Sequence, residues 1–250
     1  MKIAVCIKRV PDTEMRFGFT ADGKAVDPGG LKFEISTFDE YAVEVAIRLK
    51  EQAGGGEVTV VGLGPAGMPE LLRRALSMGA DRAVHLEVPE VPFDGAPVAR
   101  ALAAALRDGG FDLILFGRQA TDTGHGSVGP IAAALLDLPC VTSVSALTIA
   151  DGKGAAERQL EGAVESIEFS LPAVVTIDEG IARPRIPALK GIMAAKKKPL
   201  DTRPVSLESP HLTLEKLEFP PERAPGRIVG EGAEAVPELV RLLREEAKVI

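Results

Sequence analysis

The residues best suited to chemistry form one run: Gly117, Arg118, Gln119, Ala120, Thr121, Asp122, Thr123, Gly124, His125, Gly126, Ser127 and Val128. Small, hydroxyl and amide side chains in such a run let backbone N–H groups close on an anion, which is phosphate-holding chemistry. The run follows an apolar segment, Leu113–Phe116, and enters Pro130–Leu136, where a proline in the first helical turn costs no hydrogen bond. A helix starting there would add the partial positive charge of its N-terminus. The pattern is neither a Walker sequence nor a dinucleotide fingerprint, so an ordinary strand-to-helix connection stands beside the phosphate reading. His125 either donates to the anion or is a surface histidine.

Other reactive constellations are missing from the sequence. There is no H-E-x-x-H, C-x-x-C or G-x-S-x-G. His85 falls within a strand pattern and His211 in a proline-rich stretch, and both read as structural. Cys6 and Cys140 sit in apolar runs and read as small buried side chains. With no nucleophile or general base in view, the chemistry belongs to a cofactor that the protein positions. A net charge of −7, no Trp and a single Tyr argue against a nucleic-acid partner. No apolar run reaches bilayer length, and the chain begins directly in a strand pattern, so a cytoplasmic prokaryotic protein is expected.

The elements that must position the loop alternate. Strands are expected at Lys2–Lys8, Glu57–Gly62, Arg82–Glu87 and Leu113–Phe116, with helices over Phe38–Leu49, Pro69–Met78 and Gly95–Gly109. On the first helix the spacing puts Phe38, Tyr41, Ala42, Val45, Ala46 and Leu49 inward, with Asp39, Glu40, Glu44 and Arg48 facing out. Thr37 and Glu40 suit a capping box. Residues 9–32 carry turn signals and a small hairpin. Strands alternating with helices call for an α/β, Rossmann-like, doubly wound and mainly parallel sheet, with ligands beyond the carboxyl ends of its strands. Three loops meet there, after Ile7, Val61 and Phe116. After Pro139, four strand-length runs (Val141–Ile149, Ala155–Leu160, Val164–Phe169 and Ala173–Ile177) read as added antiparallel strands. Residues 1–200 are expected to form the nucleotide-binding domain. Residues 201–250 are expected to form an extended, proline-punctuated C-terminal arm ending in an amphipathic helix over Ala233–Glu246.

Several stretches, in order and nearly end to end, resemble the β subunits of electron transfer flavoproteins. They are Val5–Asp12, Phe38–Glu44, Gly64-Pro65 with Arg74–Arg82, Gly117–Ala120, Val164-Glu165 through Leu171–Thr176, and Gly191–Lys198. The resemblance implies a heterodimeric electron carrier, not an enzyme in its own right. Its β subunit holds AMP and completes an FAD site lying mostly in the α subunit. Electrons arrive from acyl-CoA and other dehydrogenases and leave to a membrane quinone oxidoreductase. Carried over by position, the AMP site would use Cys6, Ser36, Thr37, Phe38, Asp39, Leu63, Gly64 and the Gly117–Val128 loop, while Thr13 would lie near the flavin. Residues 184–198 correspond to a recognition loop for the dehydrogenase, with Leu189 as anchor and Ile192, Met193, Lys196 and Lys197 around it.

The chain departs from the family pattern in two places, with Ser36-Thr37 for an Asn-Pro pair, and Gly124 and Ser127 for an acid and an amide in the loop. The ending Val128-Gly129-Pro130 is shared with electron-bifurcating relatives, which carry a second FAD in place of AMP. The acidic residue that usually accompanies that ending is missing, which favours AMP. A free-standing nucleotide-binding protein of the universal-stress type is the remaining alternative.

Overall fold

The computed structural model describes residues 1–223 and 225–250. They fall into two units, Met1–Lys216 and Leu217–Ile250.

The first unit opens with β1 (Lys2–Ile7), then β2 (Arg9–Pro11) and β3 (Phe33–Ile35), which pair as a small antiparallel ribbon. The expected hairpin between them appears as a single bridge, Phe19 to Val26. Next come α1 (Thr37–Gln52), β4 (Glu57–Gly64), α2 (Met68–Met78), β5 (Arg82–Glu87), α3 (Gly95–Leu106), β6 (Leu113–Gly117) and α4 (Val128–Leu136). The chain continues through β7 (Cys140–Ala150), β8 (Lys153–Leu160), β9 (Ala163–Ser170), β10 (Ala173–Ile177), α5 (Leu189–Ala195) and β11 (Leu200–Pro204).

One nine-stranded sheet has the order β11-β5-β4-β1-β6-β10-β7-β8-β9, antiparallel only at β7-β8 and β8-β9. Alternation along β1 divides the core. Ile3, Val5 and Ile7 pack with α1 and α2 on one face, while Ala4 and Cys6 pack with α3 and α4 on the other. The doubly wound reading therefore holds. The winding reverses at β1, which has β4 on one side and β6 on the other, and this opens a crevice beyond their carboxyl ends.

Five expectations are corrected. β10 is parallel to both β6 and β7; all five of its residues are buried, as in a strand covered on both faces. Residues 201–204, assigned to the arm, form with Leu200 a parallel edge strand on β5. Cys140 is exposed, because it opens β7 before β8 begins to pair at Val144. Asp39 and Glu44 face inward, only 6 % and 2 % exposed, since each is captured by donors from distant parts of the chain. The capping box also fails to form. The Ser36 carbonyl accepts from the Asp39 and Glu40 amides, while Glu40 pairs with Arg74 at 2.7 Å.

The second unit contains α6 (Val236–Glu245), with Val236, Leu239 and Val240 exposed along one side. Arg241 pairs with Glu238 and Glu245 on the other side, and Arg227 pairs with Glu246. Among the described residues no helix is long and apolar enough to cross a membrane.

Candidate nucleotide site

A cleft open to solvent lies at the winding reversal, bounded by the ends of β1 and β6 and the starts of α3 and α4. Its place beyond the carboxyl ends of parallel strands is where ligands settle in such sheets. Its floor carries Cys6, Leu63 and Phe116, and one wall is formed by Val91, Pro92 and Phe93 with Val98 and Leu102. The other wall is the loop: Gly117, Arg118, Gln119, Ala120, Thr123, His125, Gly126, Ser127 and Val128 all line the space.

Asp39 builds the corner. Its Oδ2 accepts from the Lys8 amide at 2.8 Å and its Oδ1 from the Gly117 amide at 2.9 Å, lashing the end of β1 to the end of β6. Burial pushes its carboxyl up to about 7, against the pull of those two amides and the Lys8 ammonium. Only glycine fits at 117: a Cβ there would lie 2.7 Å from Phe38 Cβ and 2.8 Å from the Asp39 nitrogen. Burial, with the Asp39 charge second, drives the Cys6 thiol far above its usual range, so it stays a neutral apolar surface.

The loop is fastened from both sides. Lys8 Nζ meets Asp122 Oδ1 at 2.7 Å and Thr123 Oγ1 at 3.3 Å. The buried Ser36 hydroxyl accepts from the Thr121 amide at 3.3 Å and reaches the Gln119 carbonyl at 3.5 Å. Gly124 donates to the Ala120 carbonyl at 2.9 Å, and Gly126 adopts φ 61°, a left-handed conformation that suits glycine. Arg118 turns aside to Asp178 at 2.9 Å. The His125 ring sits edge-on to Phe93, centroids 4.6 Å apart.

Thus Cys6, Asp39, Leu63 and most of the loop surround one space. Ser36, Thr121 and Asp122 brace the loop from outside the lining, together with Gly124. Thr37 is exposed, and Phe38 lies under the Arg118 guanidinium. The Gly64 carbonyl is occupied by His85 Nε2 at 2.9 Å and the Val88 amide at 3.1 Å. Thr13 is exposed in a turn closed by Asp12, whose carboxylate accepts from the Glu14 amide at 3.0 Å. Sequence reasoning missed Lys8 and the Val91–Phe93 wall. The clue was an apolar pair set among prolines directly after a strand, a fourth loop at the carboxyl edge.

Chemically, the cleft has two ends. The Val128 and Gly129 amides open α4 ahead of the Ile131 amide, which donates to the Ser127 carbonyl, and they lie at the positive end of the helix dipole, which suits an anion. The apolar walls around Leu63 and Phe93 suit a flat, weakly polar group. Among the described residues no cluster of three or more His, Cys, Asp or Glu could hold a metal.

Residues 25–208 match the sequence profile described as "Electron transfer flavoprotein domain". Along its entire length the chain is 42 % identical to the whole of "Electron transfer flavoprotein subunit beta" of Bacillus subtilis (strain 168). The chain belongs to the electron transfer flavoprotein β-subunit family. Similarity of the same extent reaches mammalian electron transfer flavoprotein β subunits, with 37 % identity to the Homo sapiens protein and 36 % to that of Sus scrofa, each across 99 % of the relative. The cleft and its loop lie within the fold that this electron transfer flavoprotein chain builds around β1 and β6.

Proposed function

We propose that the chain is the β subunit of a heterodimeric electron transfer flavoprotein whose cleft holds AMP. The observation that carries this reading is the two-ended cleft at the winding reversal, with the start of α4 at Val128 and Gly129 at one end and an apolar slot at the other. The α4 amides and the Gly117–Val128 loop would hold the phosphate, and Leu63, Val91 and Phe93 would sandwich the adenine. Asp39, Lys8 and Ser36 fix the loop in place before ligand arrives, so that little ordering is left to binding.

FAD, lying mostly in the α subunit, supplies the one- and two-electron chemistry. This chain contributes shape to that site, with the exposed Thr13 turn near the flavin and the part of the 201–250 arm beyond β11 against the partner. Leu189, Ile192, Met193, Lys196 and Lys197, all exposed, form the docking surface for acyl-CoA and other dehydrogenases. A quinone oxidoreductase receives the electrons, and the complex works in a prokaryotic cytoplasm.

Denaturing the purified heterodimer and identifying the released nucleotides by chromatography and mass spectrometry tests the reading. One AMP and one FAD per heterodimer are expected. Two FAD without AMP would replace AMP with a second flavin, and a chain that binds neither nucleotide nor a flavin-bearing subunit would overturn the whole assignment.

A further inference from the structure

The segment 186–194 holds unusual apolar exposure: Ile186 is 91 % and Leu189 73 % exposed, and Ile192 and Met193 also face water. Long charged side chains fasten both ends of it. At the start, Arg185 Nε meets Glu44 Oε2 at 2.8 Å and Nη2 meets Oε1 at 3.1 Å, while the Arg185 amide donates to Oε2 at 3.2 Å. The same guanidinium continues to both oxygens of Glu51, at 2.7 and 3.0 Å. At the far end, Arg73 Nη1 donates to the carbonyls of Ala195 and Lys198, both at 2.6 Å. Lys198 Nζ in turn donates to the carbonyls of Leu76 and Ala80, at 2.9 and 2.6 Å. Glu44 lies on α1 and Arg73 on α2, helices packed on the same face of the sheet.

We infer that Glu44 and Arg73 are positioning residues for partner docking, holding 186–194 as a preformed ledge that a partner need not order on binding. The inference rests on the reading of that segment as the docking surface. The ledge also specifies its partner: a protein with an apolar socket for Leu189, edged by carboxylates. Lys190, Lys196 and Lys197 are exposed cations beside the apolar tip of a chain whose net charge is −7. Lys198, by contrast, is committed to the end of α2 and takes no part in steering. Glu44, beneath the ledge, is too deeply buried to touch a partner itself; it also accepts from Arg48 Nε at 2.7 Å, and the Arg48 guanidinium reaches the Arg183 carbonyl at 3.4 Å.

The test uses the co-expressed heterodimer, with a purified acyl-CoA dehydrogenase from the same organism as the probe. Glu44→Gln is expected to raise the KM for the dehydrogenase about tenfold, the equivalent of ordering one or two side chains. The rate at saturating dehydrogenase and the nucleotide content should stay unchanged, while hydrogen exchange at 186–194 accelerates. Arg73→Met, which keeps the stem and removes the donors, should do the same and decides the matter if Glu44→Gln fails to fold. Faster exchange with an unchanged KM overturns the inference, as does a raised KM without faster exchange. Leu189→Ala, run alongside, separates the two levels. If it leaves KM unchanged, the docking reading falls and the inference with it; if it raises KM while neither clamp variant does, only the clamp falls.

Discussion

Replacing Asp39 with Asn tests how the cleft is held together. The side chain keeps its shape, but one of the two amides it serves, Lys8 or Gly117, must then face an NH₂ group in place of an oxygen. A buried donor left unpaired costs about 1–3 kcal/mol. Set against that loss, the substitution removes a buried charge. The wild-type carboxyl is pushed up from 3.8 to about 7. A carboxyl raised on folding contributes its full stability below its unfolded value and loses that contribution as pH climbs through its folded value. The slope reaches ~1.4 kcal/mol per pH unit, of order 4 kcal/mol across the window from about 4 to 7. Asp39→Asn is therefore expected to be less stable than wild type at pH 5 and to draw level with it or pass it by pH 8. Urea midpoints for both proteins, taken from pH 4.5 to 8.5 at fixed nucleotide and α-subunit concentrations, give the comparison. NMR titration of the Asp39 carboxyl gives the midpoint directly. Parallel stability curves, or a carboxyl titrating below 4, would refute the reasoning.

Two more substitutions probe the same site. Gly117→Ala forces a methyl against Phe38 and Asp39 and should cost about 1–3 kcal/mol with loss of bound nucleotide; unchanged denaturant midpoint and nucleotide content would show that the corner yields. Lys8→Met removes a half-exposed pair with Asp122, so folding should weaken by no more than about 1 kcal/mol. Nucleotide affinity should fall more than stability does, and less so at high salt, when measured by calorimetry on nucleotide-stripped protein.

The parallel core was legible because β1, β4 and β6 are continuous apolar runs and their connecting helices keep a clear stripe. The loop after β6 was legible as a connection at the carboxyl edge of the sheet because an apolar strand pattern runs into it and a helix pattern leaves it. Asp39 and Glu44 were not, since helical spacing assigns any carboxylate to water. Their partners, Gly117 and Arg185, lie 78 and 141 residues away, beyond the reach of local pattern. The edge strand β11 was hidden for a different reason. Its sequence, Leu-Asp-Thr-Arg-Pro, has four exposed residues and shows no apolar run or alternation. Whether β10 ran parallel depended on which strands flanked it, and Ala-Val-Val-Thr-Ile is compatible with either direction.

The place of β10 between β6 and β7 constrains how the molecule is born. During synthesis β6 emerges with one edge open, and the chain must travel through α4 and the whole β7–β9 meander before residue 173 arrives to close it. Until then a nascent polypeptide displays an unzipped row of amides and carbonyls at the future centre of its sheet, next to the half-built cleft. Such late, long-range closure favours slow folding and leaves a window for aggregation. A ribosome stalled before residue 173 should therefore present a chain that proteases and chaperones can still seize, and one stalled well past residue 177 a chain they largely cannot.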